Sequence, residues 1–193
     1  MDSGTLSDNV WSRADKIDGW LFREEAELLH RLNTGRWCEI GSWKGRSTFI
    51  LAQRQRGYAI DWFRGIEDPD YELSGVDTLR SFLTNTADCR QNIVVVPMRF
   101  QDATEFINGP LDLLFLDAEH NYELTKSAFD LYGPLVAIGG HVVFHDAWGN
   151  EGQQTWTPLP EVTRFVKELS DSRPDVWRHT ENVVRCAVFR RVR

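Results

Sequence analysis

The chain has 193 residues, of which 41% are hydrophobic, and its formal net charge is −7. This length suits one domain with a substantial core, and the negative charge argues against the phosphate backbone of a nucleic acid as a partner. The apolar runs are shorter than the ~20 residues of a membrane-spanning helix, and the N-terminus is polar rather than signal-like. We therefore expect a cytoplasmic protein without a membrane partner.

The three cysteines, Cys38, Cys89 and Cys186, are far apart in the chain. Their odd number and wide spacing indicate neither a disulfide framework nor a metal site. Cys38 and Cys186 lie in apolar runs typical of strands, so we expect both thiols to be buried in the core.

Predicted helices and strands alternate along the chain. Amphipathic patterns predict helices at 20–33, about 46–55, 76–88, 103–107, 122–135 and 159–169. Apolar runs predict strands at 37–40, 58–61, 93–98, 111–116 and 141–144, and a closing antiparallel pair at 176–180 and 183–192. This order predicts an α/β fold with a doubly wound, mostly parallel seven-stranded sheet. We expect one domain, with residues 1–35 as an N-terminal helical cap and 36–193 as the core.

The segment 39–48, EIGSWKGRST, joins the first predicted strand to a helix through two glycines. The spacing G-x-x-x-G fits neither the dinucleotide fingerprint nor a phosphate-binding P-loop, because Lys44 precedes the second glycine. An acidic residue, Glu39, at the head of a glycine turn suits a cofactor with an amino-acid end and a nucleoside end. S-adenosylmethionine (SAM) is such a cofactor. Taken alone, the same residues also fit an ordinary strand–helix turn.

Two further acids follow predicted strands. Asp61 stands 20 residues beyond Gly41, where an acid can accept hydrogen bonds from ribose hydroxyls; the alternative is a residue that forms the turn after its strand. Asp102 follows the third strand and can accept from an adenine amino group, or else it caps the short helix that begins at Ala103.

A second group of polar residues follows the fourth and fifth strands. Asp117 and His120 come after the fourth strand, and His145 and Asp146 come after the fifth. Adjacent parallel strands lie about 4.8 Å apart, so we expect Asp117 and Asp146 to emerge side by side. Two such carboxylates repel each other unless a cation or a shared proton lies between them, and a divalent metal satisfies this need. The alternative is a helix-capping Asp117 beside an exposed turn histidine.

The segments EIGSWKGRST and LLFLDAEHNYELTKSAFDLYGPLVAIGGHVVFHDAW together resemble class I SAM-dependent methyltransferases. Within them the chain is most similar to the branch of metal-dependent macrolide-sugar O-methyltransferases and catechol-methyltransferase-like enzymes, over roughly residues 17–170. The resemblance implies a Rossmann-like methyltransferase fold. It also implies that SAM is bound by Glu39, Gly41, Ser42, Gly45, Ser47, Asp61, Asp102 and Asp117.

The resemblance also implies a metal site and a catalytic role for Asp117 and His120. Asp117 and Asp146 match metal ligands, and His120 matches the general base. From its position beside Asp146, His145 is expected either as a third ligand or as a support behind the ligands. The ion would be Mg²⁺ or another divalent metal. The sugar enzymes carry an acidic residue just before the second metal aspartate, where this chain has His145. The implied reaction is methyl transfer to a hydroxyl of a sugar or another natural-product-type small molecule.

The acceptor is expected to lie near two aromatic segments. Residues 148–158 form a polar, glycine-containing stretch with tryptophans near both ends, which predicts either a lid over an acceptor or a surface loop pinned by those tryptophans. Residues 18–22 would form the opposite wall. Homo-oligomerisation is left open. Two other functions remain alternatives: a SAM-binding regulatory partner without catalysis, and an oxidoreductase that uses a nicotinamide cofactor.

Overall fold

A computed structural model of the protein describes residues 5–65, 75–118, 120–148 and 159–193. Within these residues, helices and strands follow the predicted order, with one further helix over Asp8–Ala14 that the apolar pattern does not predict. The helices are α1 (Asp8–Ala14), α2 (Arg23–Leu32), α3 (Arg46–Leu51), α4 (Leu79–Asn85), α5 (Tyr122–Tyr132) and α6 (Pro160–Ser172). The strands are β1 (Trp37–Ile40), β2 (Gly57–Ile60), β3 (Ile93–Val96), β4 (Leu111–Leu116), β5 (Val136–Phe144), β6 (Trp177–Val183) and β7 (Cys186–Arg191).

These strands form one sheet with the order β3-β2-β1-β4-β5-β7-β6. The pairs among β1 to β5 are parallel, and β7 runs antiparallel to both β5 and β6. The prediction of a mostly parallel seven-stranded sheet with an antiparallel C-terminal pair is therefore confirmed.

Each face of the sheet carries its own apolar core, because successive side chains of a strand point to opposite faces. Leu114 and Leu116 of β4 join the core beneath α5 and α6, which contains Phe129. Leu113 and Phe115 of the same strand join the core that contains residues of α2 and α3. Helices on both faces make the sheet doubly wound, and they explain why β1 and β4 are almost wholly apolar.

The C-terminal ends of the parallel strands lie side by side, and the predicted site residues follow these ends. Ile40 pairs with both Ile60 and Leu116, and Leu116 pairs with Phe144. Backbone hydrogen bonds continue one residue beyond these strands. The amide of Gly41 donates to the carbonyl of Ile60, that of Asp117 to Ile40, and that of His145 to Leu116. The polar residues after β1, β2, β4 and β5 are thereby collected at one edge.

Several element boundaries differ from the predictions. β5 begins five residues before 141 and runs through the glycine pair that was expected to precede it, where its pairing with β4 shifts register. Val183 belongs to β6, so the last turn lies at 184–185 and not between 180 and 183. The predicted helix 76–88 is α4 followed by a 3₁₀ helix over Ala87–Asn92. Residues 66–74, between β2 and α4, lie outside the described residues.

Cys38 and Cys186 are buried and unpaired, as predicted, and Cys89 is buried too. Every helix among the residues that the structure describes is too short or too polar to span a bilayer. The division at residue 35 into a cap and a core stays a prediction; α1 and α2 precede β1, and Leu29 of α2 packs into the core on the α3 side of the sheet.

Candidate active site

The turn between β1 and α3 requires glycine at its two bracketing positions. Gly41 has φ +91°, and a Cβ atom there would lie 2.0 Å from the carbonyl oxygen of Asp117. Gly45 has φ +92° and precedes the first residue of α3. Only glycine adopts such angles without strain. Because Gly41 has no side chain, the turn passes directly against the end of β4. This contact joins the predicted cofactor loop to the predicted metal side of the site.

Glu39 is fully buried at the end of β1. Its Oε2 atom accepts hydrogen bonds from the hydroxyls of Ser42, at 3.0 Å, and of Thr48. Its Oε1 atom has no hydrogen-bond partner among the described residues. Burial raises the pKa of Glu39 to about 7, although the hydroxyl donors oppose the shift. The carboxyl group therefore offers one unused acceptor beside the glycine turn.

Asp61 follows β2 and is held by backbone amides. Its two carboxylate oxygens accept from the amide of Trp43 at 2.7 Å and from that of Phe63 at 2.6 Å. Burial raises the pKa of Asp61 despite these donors. The bond to the amide two residues further on is the turn-forming role that the sequence left open as an alternative, and the bond to Trp43 ties this turn to the glycine loop. The ribose contact stays a prediction.

Asp102 lies exposed in the loop after β3. The following 3₁₀ helix covers Thr104–Phe106 and has Ala103 in its cap position, so capping does not account for Asp102. Contact with adenine stays a prediction. Ser47, in the first turn of α3, is buried close to Glu39 and lowers the pKa of that carboxyl group.

Asp117, His120 and Asp146 converge at the ends of β4 and β5. One ligand atom from each lies within 4.8 Å of the others. The His120 Nε2 atom is 3.3 Å from Oδ2 of Asp146, and 41% of the His120 side chain is exposed, whereas Asp146 is buried. Asp146 has φ +55°, a conformation that an aspartate tolerates better than most residues. An exposed imidazole thus lies above a buried carboxylate.

His145 lies behind this group, and both of its ring nitrogens face carboxylates. Nδ1 is 2.8 Å from Asp117 and 3.4 Å from Asp146, while Nε2 is 3.3 Å from Glu25 of α2. Burial by itself lowers the pKa of His145, but the charge of Asp117 and the contacts with all three carboxylates outweigh it and raise that pKa well above its usual range. His145 therefore carries a positive charge between the acids.

A second buried cation, Arg185, lies beside the same acids. Its guanidinium Nη1 atom is 3.2 Å from Oδ1 of Asp146, and its Nε and Nη2 atoms are each 3.2 Å from Glu25. Burial acts to raise the pKa of Asp146, but His145 and Arg185 outweigh it and hold that pKa below its usual range. The cation that the sequence required between Asp117 and Asp146 is thus supplied in part by the chain itself.

Glu25 and Arg185 are the site residues that sequence reasoning missed. Glu25 looked like one of several charges on an amphipathic helix, and Arg185 fell inside a predicted strand. The one sign of Arg185 in the sequence is that it is a single charged residue within the apolar run around Cys186. Glu25, His145 and Cys186 also form a fully buried group with ligand atoms within 4.8 Å, in which Glu25 is already paired with Arg185.

Two aromatic side chains flank the site from the N-terminal segment. Trp20 is 58% exposed and packs on Trp43 of the glycine turn, with ring centroids 6.0 Å apart. The Phe22 ring lies 4.8 Å from the Arg185 guanidinium. The predicted wall at 18–22 therefore adjoins both the glycine turn and the buried charges. Of the predicted lid, only Trp148 is described, and its amide donates to the carbonyl of Arg185; 149–158 lie outside the described residues.

A family model described as a methyltransferase domain matches residues 38–147. The match runs from β1 through the glycine turn to the residues after β5, and it covers more than half of the chain. The chain belongs to this methyltransferase family. The resemblance to class I SAM-dependent methyltransferases is confirmed, and the family match does not support the alternative of a nicotinamide-dependent oxidoreductase.

Solved structures share the whole architecture of this methyltransferase at low sequence identity. The O-methyltransferase TomG of Streptomyces achromogenes, in complex with SAM, is 20% identical and has a TM-score of 0.68, with 98% of this chain and 92% of that chain covered. An O-methyltransferase of Bacillus cereus, in complex with SAH, is 13% identical with a TM-score of 0.65, with 97% and 92% covered. These likenesses establish the fold.

A curated relative matches part of the chain. It is an uncharacterized protein of Acanthamoeba polyphaga mimivirus, 25% identical over 140 residues, which are 69% of this chain and 60% of the relative. The chain thus aligns with about three fifths of the relative's length. The function of the methyltransferase rests on the family match and on the site itself.

Proposed function

We propose that this methyltransferase transfers the methyl group of SAM to a hydroxyl of a small molecule, such as a sugar or another natural-product-type acceptor. The observation that carries the proposal is the convergence of Asp117, His120 and Asp146 beside a glycine turn whose backbone touches Asp117. An exposed imidazole that contacts a carboxylate can act as the base that takes the proton of a hydroxyl.

The glycine turn and its neighbours fit the cofactor. Gly41 lets the turn pack directly against the backbone of Asp117, and the unpartnered buried Oε1 of Glu39 is an acceptor for the ammonium group at the methionine end. Ser42, Gly45 and Ser47 shape this turn. Asp61 and Asp102 are proposed to face the ribose and the adenine, and Asp117 completes the cofactor side where it meets Gly41.

His120 is proposed as the general base. Its imidazole is accessible, whereas that of His145 is enclosed by carboxylates. The contact between His120 and Asp146 orients the ring and stabilises the charge that it gains on taking a proton. In the transfer, the acceptor oxygen forms a bond to the methyl carbon, the carbon–sulfur bond breaks, and S-adenosylhomocysteine leaves. The hydroxyl proton goes to His120.

The two carboxylates also fit a divalent cation. Asp117 and Asp146 would hold it, since Mg²⁺ is commonly bound by one or two protein carboxylates with water and substrate in the other positions. When bound, such an ion lowers the pKa of a coordinated hydroxyl. His145 is assigned a supporting position behind Asp117 instead of a place on the ion, because both of its nitrogens already face carboxylates. The missing third acid is consistent with a site of two protein ligands.

The proposal is tested by incubating the protein with methyl-labelled SAM and a panel of sugar, phenol and alkyl hydroxyl acceptors, with mass-spectrometric location of the label. We expect the label on an oxygen atom and its loss in His120→Ala. His179→Ala is the matched control, because His179 is exposed on β6. Label on nitrogen or carbon, or unchanged turnover in His120→Ala, would contradict the proposal.

A further inference from the structure

Arg185 is the one arginine or lysine among the described residues that is buried, with 2% of its surface exposed. It lies in the turn between β6 and β7, and its backbone amide also donates to Glu25 at 3.0 Å. Its guanidinium contacts two carboxylates, each through different nitrogen atoms. Nε and Nη2 face Glu25, and Nη1 faces Asp146.

The burial of the Arg185 guanidinium has an energetic cost. Removing a guanidinium from water costs several kcal/mol, which is offset only when carboxylates and other acceptors surround it. Glu25 is completely buried as well, so each of the two charges depends on the other. Arg185 also donates to the carbonyl of Trp20. The guanidinium is therefore held by contacts with Glu25, Asp146 and Trp20.

The two carboxylate oxygens of Asp146 face different partners. Oδ1 faces Arg185 at 3.2 Å and His145 at 3.4 Å, whereas Oδ2 faces His120 at 3.3 Å. The charge of Arg185 also offsets the repulsion between Asp146 and Asp117, because a cation at 3.2 Å acts on Asp146 with little screening. Arg185 and His145 together thus place basic groups of the chain against this carboxylate pair.

We propose that Arg185 is a positioning residue for Asp146, an internal counter-cation that weakens the affinity of the site for divalent ions and keeps the site assembled in their absence. This inference rests on the proposed function, because it concerns the same carboxylates. The consequence is a weak ion site, since two of the four carboxylate oxygens already face buried basic groups: Oδ1 of Asp146 faces Arg185, and Oδ1 of Asp117 faces His145.

The test is the double variant Glu25→Gln/Arg185→Gln, which removes one charge of each sign together and leaves no unpaired buried ion. Glu25 contacts the other edge of the guanidinium, so the loss of Arg185 dominates at Asp146. Mn²⁺ and SAM are titrated separately by calorimetry into native protein and variant. We expect Mn²⁺ to bind at least ~10-fold tighter to the variant, which equals about 1.4 kcal/mol, and SAM to bind as in the native protein.

Equal or weaker Mn²⁺ binding by a variant that still binds SAM would overturn the inference. Arg185→Lys keeps the charge at this position, and we expect its Mn²⁺ affinity to stay near the native value; an affinity as tight as that expected of the double variant would overturn it too. The native protein alone also provides a test that needs no folded variant, since submicromolar Mn²⁺ binding would contradict a weakened site. None of these titrations requires an acceptor, so they stand apart from any failure of the proposed O-methylation.

Discussion

The guanidinium of Arg185 lies 3.2 Å from the carboxylate of Asp146, across the pairing of β5 with β7. The same guanidinium binds Glu25 of α2. One side chain thus joins three parts of the chain, α2, the end of β5 and the last turn, next to the predicted catalytic residues. The closing antiparallel strands therefore help to build the site as well as to extend the sheet.

His120→Ala is expected to lower kcat by about 10²–10⁴-fold, the usual contribution of a positioned general base. SAM affinity should stay unchanged, because His120 is not among the residues of the glycine turn. The measurement is steady-state methyl transfer to a true acceptor, together with calorimetric SAM binding. A parallel loss of SAM binding would indicate a structural role instead.

Gly41→Ala is expected to abolish SAM binding. The new Cβ would lie 2.0 Å from the Asp117 carbonyl oxygen, and φ at +91° adds strain of about 1–3 kcal/mol. Gly75→Ala is the matched control: Gly75 also has a positive φ, +70°, but no atom of the described residues lies within 4 Å of its Cβ position. We expect this control to lose some stability and to retain SAM binding. Equal SAM affinity in the two variants would refute the close approach at Gly41.

Glu39 is expected to make the cofactor-free protein less stable as pH rises. Burial raises its pKa in the folded state to about 7 from 4.5, so between these values the folded state holds a proton that the unfolded state has released. Stability from this group is complete below about pH 4.5, falls as pH rises to about 7, and then stays level, a loss on the order of 3 kcal/mol.

The measurement for Glu39 is chemical denaturation of native protein and Glu39→Gln across this pH range. The amide keeps an acceptor for Ser42 and Thr48 but does not titrate. We expect the free energy of unfolding of the native protein to fall relative to that of the variant between about pH 4.5 and 7. Parallel pH profiles would show that Glu39 does not titrate in this window.

Asp146→Asn is expected to weaken Mn²⁺ binding and to reduce turnover, because it removes the negative charge that His120 and the cation both use. SAM binding should persist, since Asp146 lies outside the glycine turn. Asp175→Asn provides the matched control: Asp175 is an exposed aspartate that pairs with Arg193. Mn²⁺ affinity equal to that of the native protein in Asp146→Asn would place the ion elsewhere.

The sequence predicted the parts of the site that follow buried strands. Two of these residues, Gly41 and Asp117, stand directly after apolar runs, and Asp146 stands one residue further on, after His145. Parallel strands of matched length bring such positions to the same end of the sheet. Glu25 and Arg185 could not be found in this way, because their pairing depends on how the last two strands fold back. The turn between those strands has no glycine or proline, and Val184 adopts φ +49° there, which is uncommon for a β-branched residue. A continuous strand over 183–192 was therefore predicted.

The end of α4 is not predictable from the apolar pattern, for a local reason. The segment after α4 contains Thr86, whose hydroxyl bonds back to the carbonyl of Phe82, and the chain tightens into a 3₁₀ helix at Ala87. Such side-chain bonds compete with regular helical geometry. They are decided by packing around Phe82, which is fully buried, and not by the apolar pattern of the helix.

The central claim is that the glycine turn and the group of Asp117, His120 and Asp146 form one SAM-dependent site, and calorimetric titration of the native protein with SAM tests it most directly. The titration is done with Mg²⁺ and again with a chelator, beside Gly41→Ala. We expect one SAM per chain with micromolar affinity under both conditions, and no binding by the variant. Absence of SAM binding to the native protein under both conditions, or equal binding by Gly41→Ala, would contradict the account.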